Sequence, residues 1–350
     1  MRGGVLTSRD RSVKNPRHGG VKVASCRVWI TWREAIRRAL YGEGGFYLHQ
    51  RPSGHFRTSV AASPVFAEAI GRLLADVDAR LGRPEALDFV DMGAGDGTLA
   101  ARVLALAPAE LAGRLRVTAV ELAPRPPGLP ARIAWRRTVP DRVCGLVVAN
   151  EWLDNVPLDV AELTEDGPRI VLVDPRTGAE RLGGEPCAAD LAWLERWWPL
   201  RKPGDRAELG RPRDEAWAEL VGRLERGLAV AADYAHSVHD RPPAGTLAAY
   251  REGRAVPPVP DGSCDITAHV ALDAVAAAGE RAGATATVLT TQRDALRALG
   301  ITGARPPLDL ARTDPRAYMR ALARAAEEAE LIDPAGLGAF GWLAQRVNLP

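Results

Sequence analysis

The chain has 350 residues, 46% apolar and 26% charged, which is enough to bury one large core or two modest ones. A formal charge of +2 is too small to mark a nucleic-acid or membrane partner, and no apolar run approaches the roughly 20 residues of a membrane helix. With no apolar secretory core at the N-terminus, the expectation is a soluble globular protein of the cytoplasm.

Residues 1–28 carry seven Lys or Arg against the single acid Asp10, and Pro16, Gly19 and Gly20 break any amphipathic helix, so a disordered basic tail is expected. Thr31 and Glu34 form a capping box ahead of Ala35, Ile36, Ala39 and Leu40, which predicts a helix ending at Gly42. A glycine and aromatic loop follows, from Gly44 to Thr58. Ser63 and Pro64 then open a second helix with Phe66, Ile70, Leu73, Leu74 and Val77 on one face and Gly82 as its exit. Residues 29–85 thus read as N-terminal helices and a loop preceding the main domain, 86–350.

From Leu87 the pattern changes to short apolar runs separated by helical segments, the mark of βαβ units around a parallel sheet. Seven strands are predicted: Leu87–Met92, Val117–Leu122, Ile133–Arg137, Leu146–Asn150, Leu228–Asp233, Ala286–Leu289 and Phe340–Val347. They fit an α/β fold with a doubly wound, Rossmann-type sheet. Between the fourth and fifth lies an insertion, 155–213, read as a hairpin around Glu165-Asp166-Gly167 and a helix bearing Trp193, Trp197 and Trp198. It is expected to cap the active site, the alternative being a side lobe that buries its own aromatics. Pro242 to Asp265 reads as a long loop rich in Pro and Gly. Cys26, Cys144, Cys187 and Cys264 stand far apart, with no C-x-x-C pair and no nearby His spacing for zinc; free thiols and no metal are expected.

Asp91-Met-Gly93-Ala94-Gly95-Asp96-Gly97 sits between the first strand and a helix predicted over 99–106, where glycines permit a sharp turn and close approach to a ligand. Its G-x-G-x-G spacing does not meet the nicotinamide fingerprint, and the same loop wraps the amino acid end of S-adenosylmethionine in enzymes that use it. Glu121, 24 residues beyond Gly97, closes the second strand, where an acid accepts hydrogen bonds from the ribose hydroxyls of an adenosine cofactor. The fourth strand ends in Asn150-Glu151-Trp152-Leu153-Asp154-Asn155, at the carboxyl edge where ligands bind in open α/β sheets. Glu151 and Asp154 there suit a guanidinium, or Asp154 and Asn155 simply cap the turn before Pro157.

Six stretches together resemble the MidA-like family of S-adenosylmethionine-dependent methyltransferases, which includes a mitochondrial arginine methyltransferase assisting respiratory complex I assembly. They are Gly54-His55-Phe56-Arg57-Thr58, Asp91 to Gly97, Asn150 to Asp154, Asp233-Tyr234, Gly245-Thr-Leu-Ala-Ala-Tyr250-Arg251, and Asp265-Ile-Thr-Ala-His269-Val270. The resemblance covers most of the chain. It implies a seven-stranded methyltransferase sheet and S-adenosyl-L-methionine, held by Asp91, Gly93, Ala94, Gly95, Asp96, Gly97, Glu121 and Asn150. It also implies a protein arginine as acceptor, a respiratory-complex subunit among the candidates. Glu151, Asp154, Asp233 and His269 are the candidate catalytic residues, His269 being either a proton relay or a packed residue. His55, Arg57, Thr58, Trp152 and Tyr234 are candidates for the substrate channel. The sequence departs from the family at His55, where an Asp is usual, and at Ala235, where a Gly is usual, changes that bear on the acceptor and not on the cofactor. Two other functions stay open: methylation of a small molecule, which an enclosed cavity lined by tryptophans would favour, and cofactor binding without turnover.

Overall fold

The computed structural model describes residues 28–49 and 59–350. The basic tail up to Arg27, and His55, Arg57 and Thr58, lie outside the described residues.

Seven strands form the central sheet: β1 (Leu87–Met92), β2 (Leu115–Val120), β3 (Ile133–Arg136), β4 (Val143–Asn150), β5 (Leu224–Asp233), β6 (Ala286–Thr291) and β7 (Gly341–Val347). Their spatial order is β6-β7-β5-β4-β1-β2-β3. β3, β2, β1, β4 and β5 pair in parallel, whereas β7 runs antiparallel to both β5 and β6. Each predicted strand is present, with ends shifted by up to four residues. The order reverses between β1 and β4, so the segments leaving Met92 and Asn150 diverge and open a crevice, the usual ligand position in such sheets.

Alternate side chains of each central strand enter different cores, as the two-residue period of a strand requires. Phe89, Leu146, Val148, Leu228 and Val230 pack with the helices Pro64–Arg80 and Thr98–Leu106. Val90, Val147, Ala149, Ala229 and Ala231 pack with Arg211–Gly222 and Leu272–Arg281. Both predicted N-terminal caps are made: Thr31 Oγ1 accepts from the Glu34 amide, and Ser63 Oγ from the Val65 amide.

The insertion supplies most of a second sheet, in which Val160–Thr164 and Gly167–Val173 form the predicted hairpin and Arg206–Glu208 pairs with the former. The helix Trp32–Tyr41 packs on this sheet through Trp32, Ile36 and Leu40, against Leu158, Val160 and Val171. Two expectations need correction. Residues 242–265 are not a plain loop: Ala248–Arg251 pairs with both Arg254–Val256 and Asp265–Thr267, a hairpin that the Pro and Gly content concealed. The tryptophans of the insertion do not cover the crevice either. Trp193 and Trp198 are buried among Ala161, Ala207, Leu209, Ala271 and Ala274, as a side lobe. No helix among the described residues is long and apolar enough to cross a membrane.

Candidate active site

The glycine loop needs its glycines for different reasons. Gly93, Gly95 and Gly97 have φ of 69°, 57° and 77°, a left-handed region that costs other residues roughly 1–2 kcal/mol. A Cβ on Gly93 would stand 2.8 Å from Trp152, and one on Gly97 would stand 2.9 Å from Leu129. At Gly95 such an atom would meet nothing within 4 Å, because that position faces the crevice. The loop leads into the helix Thr98–Leu106, where Asp96 accepts from the Thr98 amide at 3.0 Å and Asp91 from the Ala100 amide at 3.1 Å. Burial pushes the Asp91 carboxyl up to about 7, against the lowering effect of the Ala100 hydrogen bond. Glu121, just beyond β2, accepts from the amides of Gly95, Leu122 and Ala123 at 2.9, 2.6 and 3.0 Å.

Across the crevice, β4 delivers Asn150 and then Glu151, a non-glycine residue held at φ 51°. The Glu151 amide donates to the Ala232 carbonyl at 2.8 Å, which ties this strained residue to β5. Its carboxyl accepts from the Ser59 amide at 3.0 Å and from Asn150 Nδ2 at 2.9 Å, and burial pushes it up to about 8. Asp154 accepts from the Thr267 hydroxyl at 2.7 Å, and its pKa too is raised, first by burial. Asp265 accepts from the Tyr47 hydroxyl at 2.9 Å and from Asn155 Nδ2 at 3.3 Å; burial, then the charge of Asp154, push it up to about 7. Tyr41 donates to the Asn155 carbonyl at 3.2 Å. Asn150 Oδ1 and Asp154 Oδ1 are buried acceptors without a partner among the described residues. Tyr234 and His269 stack with ring centroids 5.6 Å apart, and burial and then the Arg213 charge pull the imidazole pKa down.

Loop and turn enclose one cavity of about 970 Å³. Asp91, Gly93, Ala94, Gly95, Asp96, Glu121, Asn150, Glu151, Trp152, Asp154, Tyr234 and His269 all line it. Gly97 does not; it starts the helix. Asp233, expected to be catalytic, does not line it either. It is fully buried, and its Oδ2 accepts from the amides of Leu153 and Asp154 at 2.9 and 3.2 Å, so it fixes the turn from beneath. Of the insertion, Asn155 alone reaches the cavity wall among the described residues. Tyr41, Tyr47 and Asp265 are site residues that sequence reasoning did not single out. Asp265 opens one of the six motif stretches, but nothing local shows that it meets Tyr47, 218 residues away.

This donor and acceptor set fits an adenosine-bearing amino acid. Loop amides and a helix start suit its carboxylate, the Gly95 position is open for close approach, and Glu121 stands on the cavity wall with a carboxylate. Comparisons with known proteins agree. A search of curated proteins finds no match. Two crystal structures from Burkholderia thailandensis are similar. One, a methyltransferase candidate bound to S-adenosylhomocysteine, is 29% identical with a TM-score of 0.75, covering 92% of this chain and 89% of its own. The other, the native structure of an uncharacterized member of the same superfamily, is 28% identical with a TM-score of 0.74, covering 92% and 88%. Residues 69–290 match the sequence model of a family described as "Putative S-adenosyl-L-methionine-dependent methyltransferase". That match spans more than half of the chain, which therefore belongs to this methyltransferase family and has S-adenosyl-L-methionine as its cofactor.

Proposed function

We propose that the protein transfers a methyl group from S-adenosyl-L-methionine to a nitrogen of a protein arginine. The observation that carries this reading is the carboxyl-lined end of the cavity, where Glu151, Asp154 and Asp265 converge and Asp154 Oδ1 has no partner among the described residues. A guanidinium offers five N–H donors in a plane and no acceptor, the complement of such a wall. Trp193 and Trp198 are buried in the side lobe and Trp152 is the one tryptophan on the cavity wall among the described residues, so the tryptophan-lined enclosure that a small-molecule acceptor would favour is not formed. The resemblance to MidA-like proteins supports the same acceptor, with a respiratory-complex subunit as one candidate partner.

The cofactor supplies an activated methyl group on a sulfonium. Transfer is an in-line displacement, so the protein's work is alignment and proton handling. The glycine loop and Glu121 position the cofactor side, while Glu151 and Asp154 hold the acceptor nitrogen and neutralise its charge. Burial raises the Glu151 carboxyl to about 8, a cation entering beside it shifts it back toward the ionised form, and that carboxylate accepts the proton that the nitrogen sheds.

The test is to incubate the protein with isotopically labelled S-adenosylmethionine and respiratory-complex subunits, and to identify the labelled product by mass spectrometry. Label in methylarginine is the expected result. Label in another residue or in a small molecule overturns the arginine assignment, and no label in any fraction favours cofactor binding without turnover.

A further inference from the structure

We propose that the insertion is a clamp rather than a cap: two of its buried charged residues, Glu208 and Arg213, fix His269 from both sides of its backbone and so position the acceptor wall. Each side chain is about as buried as the hydrophobic core, at 2% exposure. Glu208 ends the strand Arg206–Glu208, and Arg213 lies in the first turn of the helix Arg211–Gly222.

Glu208 Oε1 accepts from the amides of Thr246 and Leu247 at 2.8 and 3.0 Å, and Oε2 from the Thr246 hydroxyl at 3.1 Å. That hydroxyl oxygen in turn accepts from the His269 amide at 2.9 Å. The carboxylate can sit there only because residue 245 is glycine: φ is 73°, and a Cβ would stand 2.6 Å from Glu208 Oε1. On the opposite side Arg213 donates to the carbonyls of His269 at 2.8 Å, Asp154 at 2.5 Å and Val156 at 3.4 Å. One guanidinium thereby joins the turn bearing Asp154 to the segment bearing His269.

The segments so held are irregular, half-buried at Thr246, Leu247 and Val156 and exposed at His269, and no ladder pairs the N–H and C=O groups that the clamp engages. Charged partners make bonds roughly twice as strong as neutral ones. Past the clamped amides, Ala248 and Tyr250 line the cavity, and His269 stacks on Tyr234. Glu121 and the loop 91–97 receive nothing from either clamp residue in the hydrogen bonds described above. Loosening the clamp therefore disturbs the acceptor wall and spares the cofactor side, whatever acceptor the enzyme uses.

Hydrogen exchange, imidazole NMR and titration with S-adenosylhomocysteine test this on the full chain. Glu208→Ala is expected to speed exchange at the Thr246, Leu247 and His269 amides by about tenfold or more. It also removes the ring-current shift of the His269 imidazole, assigned with His269→Gln, and leaves S-adenosylhomocysteine affinity within about threefold, since no charged contact to that side is lost. Glu208→Gln keeps an oxygen for the two amides and restores their protection. Unchanged exchange and an unchanged imidazole signal in Glu208→Ala overturn the clamp. So does an equal loss of protection in β1 together with loss of cofactor binding, which marks a general folding role. Should Glu208→Ala not fold, Thr246→Val decides: the His269 amide must lose protection while those of residues 246 and 247 keep theirs, and any other pattern overturns the proposal.

Discussion

Glu121 accepts a hydrogen bond of 2.9 Å from the Gly95 amide, so the acid after β2 and the glycine loop after β1 form one unit before any ribose is considered. The same carboxylate holds the amides of Leu122 and Ala123. Glu121→Ala should therefore weaken cofactor binding twice, by removing an acceptor and by releasing the loop. Hydrogen bonds to a charged group are worth about 1.5–3 kcal/mol, which sets the expected loss at roughly ten- to a hundredfold in calorimetric titration. Unchanged affinity would show that Glu121 serves only its own turn.

Gly95→Val addresses the loop from the other direction. The position is left-handed and open to the cavity, so valine suffers backbone strain and projects a branched side chain into ligand space. S-adenosylhomocysteine binding should vanish from titration while the thermal transition shifts by only a few degrees, because nothing packed is displaced. Retained binding contradicts the assignment of the loop.

For Glu151→Gln, the expectation is that methyl transfer falls by about tenfold or more, the scale of a lost positioned acid-base group, with cofactor affinity changed by only a few fold. The isostere keeps the oxygen that accepts from Ser59 and Asn150. A transfer rate equal to that of the unmodified protein removes Glu151 from the mechanism.

The same substitution has a signature in stability. Burial raises the Glu151 carboxyl from 4.5 to about 8, so between those values the folded chain binds more protons than the unfolded one. Its contribution is fully present below pH 4.5 and is lost as pH rises through about 8. The lowered imidazoles of His236 and His269 act in the opposite sense, but only below their ordinary 6.5. From pH 6.5 to 8.5 the glutamine variant should gain about 2 kcal/mol on the unmodified protein, at up to 1.4 kcal/mol per pH unit for one group. Parallel denaturation curves across that window rule out a raised Glu151.

The parts of this molecule that local chemistry dictates were legible in the sequence. The caps at Thr31 and Ser63, the hairpin around Gly167 and the turn glycines each follow from a few adjacent residues. What escaped depends on distant partners. Tyr47 meets Asp265 and Asn155 only after the N-terminal helix has packed on the inserted sheet. Leu272–Arg281 begins at Ala271 with no side chain to cap it, so nothing local marks its start, yet it buries Val275 and Ala276 against the central sheet. The tryptophans of the insertion misled for a related reason: aromatic side chains announce burial without saying against what.

Asp233 is a motif residue that supports the site without lining the cavity. Its Oδ2 holds the Leu153 and Asp154 amides, and its Oδ1 has no partner among the described residues. Burial, then the charge of Asp154, raise its pKa well above the ordinary value. Asparagine has nearly the same shape and keeps an oxygen to accept from the two amides. Asp233→Asn should stay within about 1 kcal/mol in urea denaturation and retain methyl transfer within severalfold. Alanine leaves two buried amides unsatisfied at about 1–3 kcal/mol each, so Asp233→Ala should lose about 2–6 kcal/mol and, with the turn released, most of its transfer activity. A large loss of transfer in Asp233→Asn at unchanged stability would return the residue to the chemistry, because only a proton that asparagine cannot carry separates the two side chains.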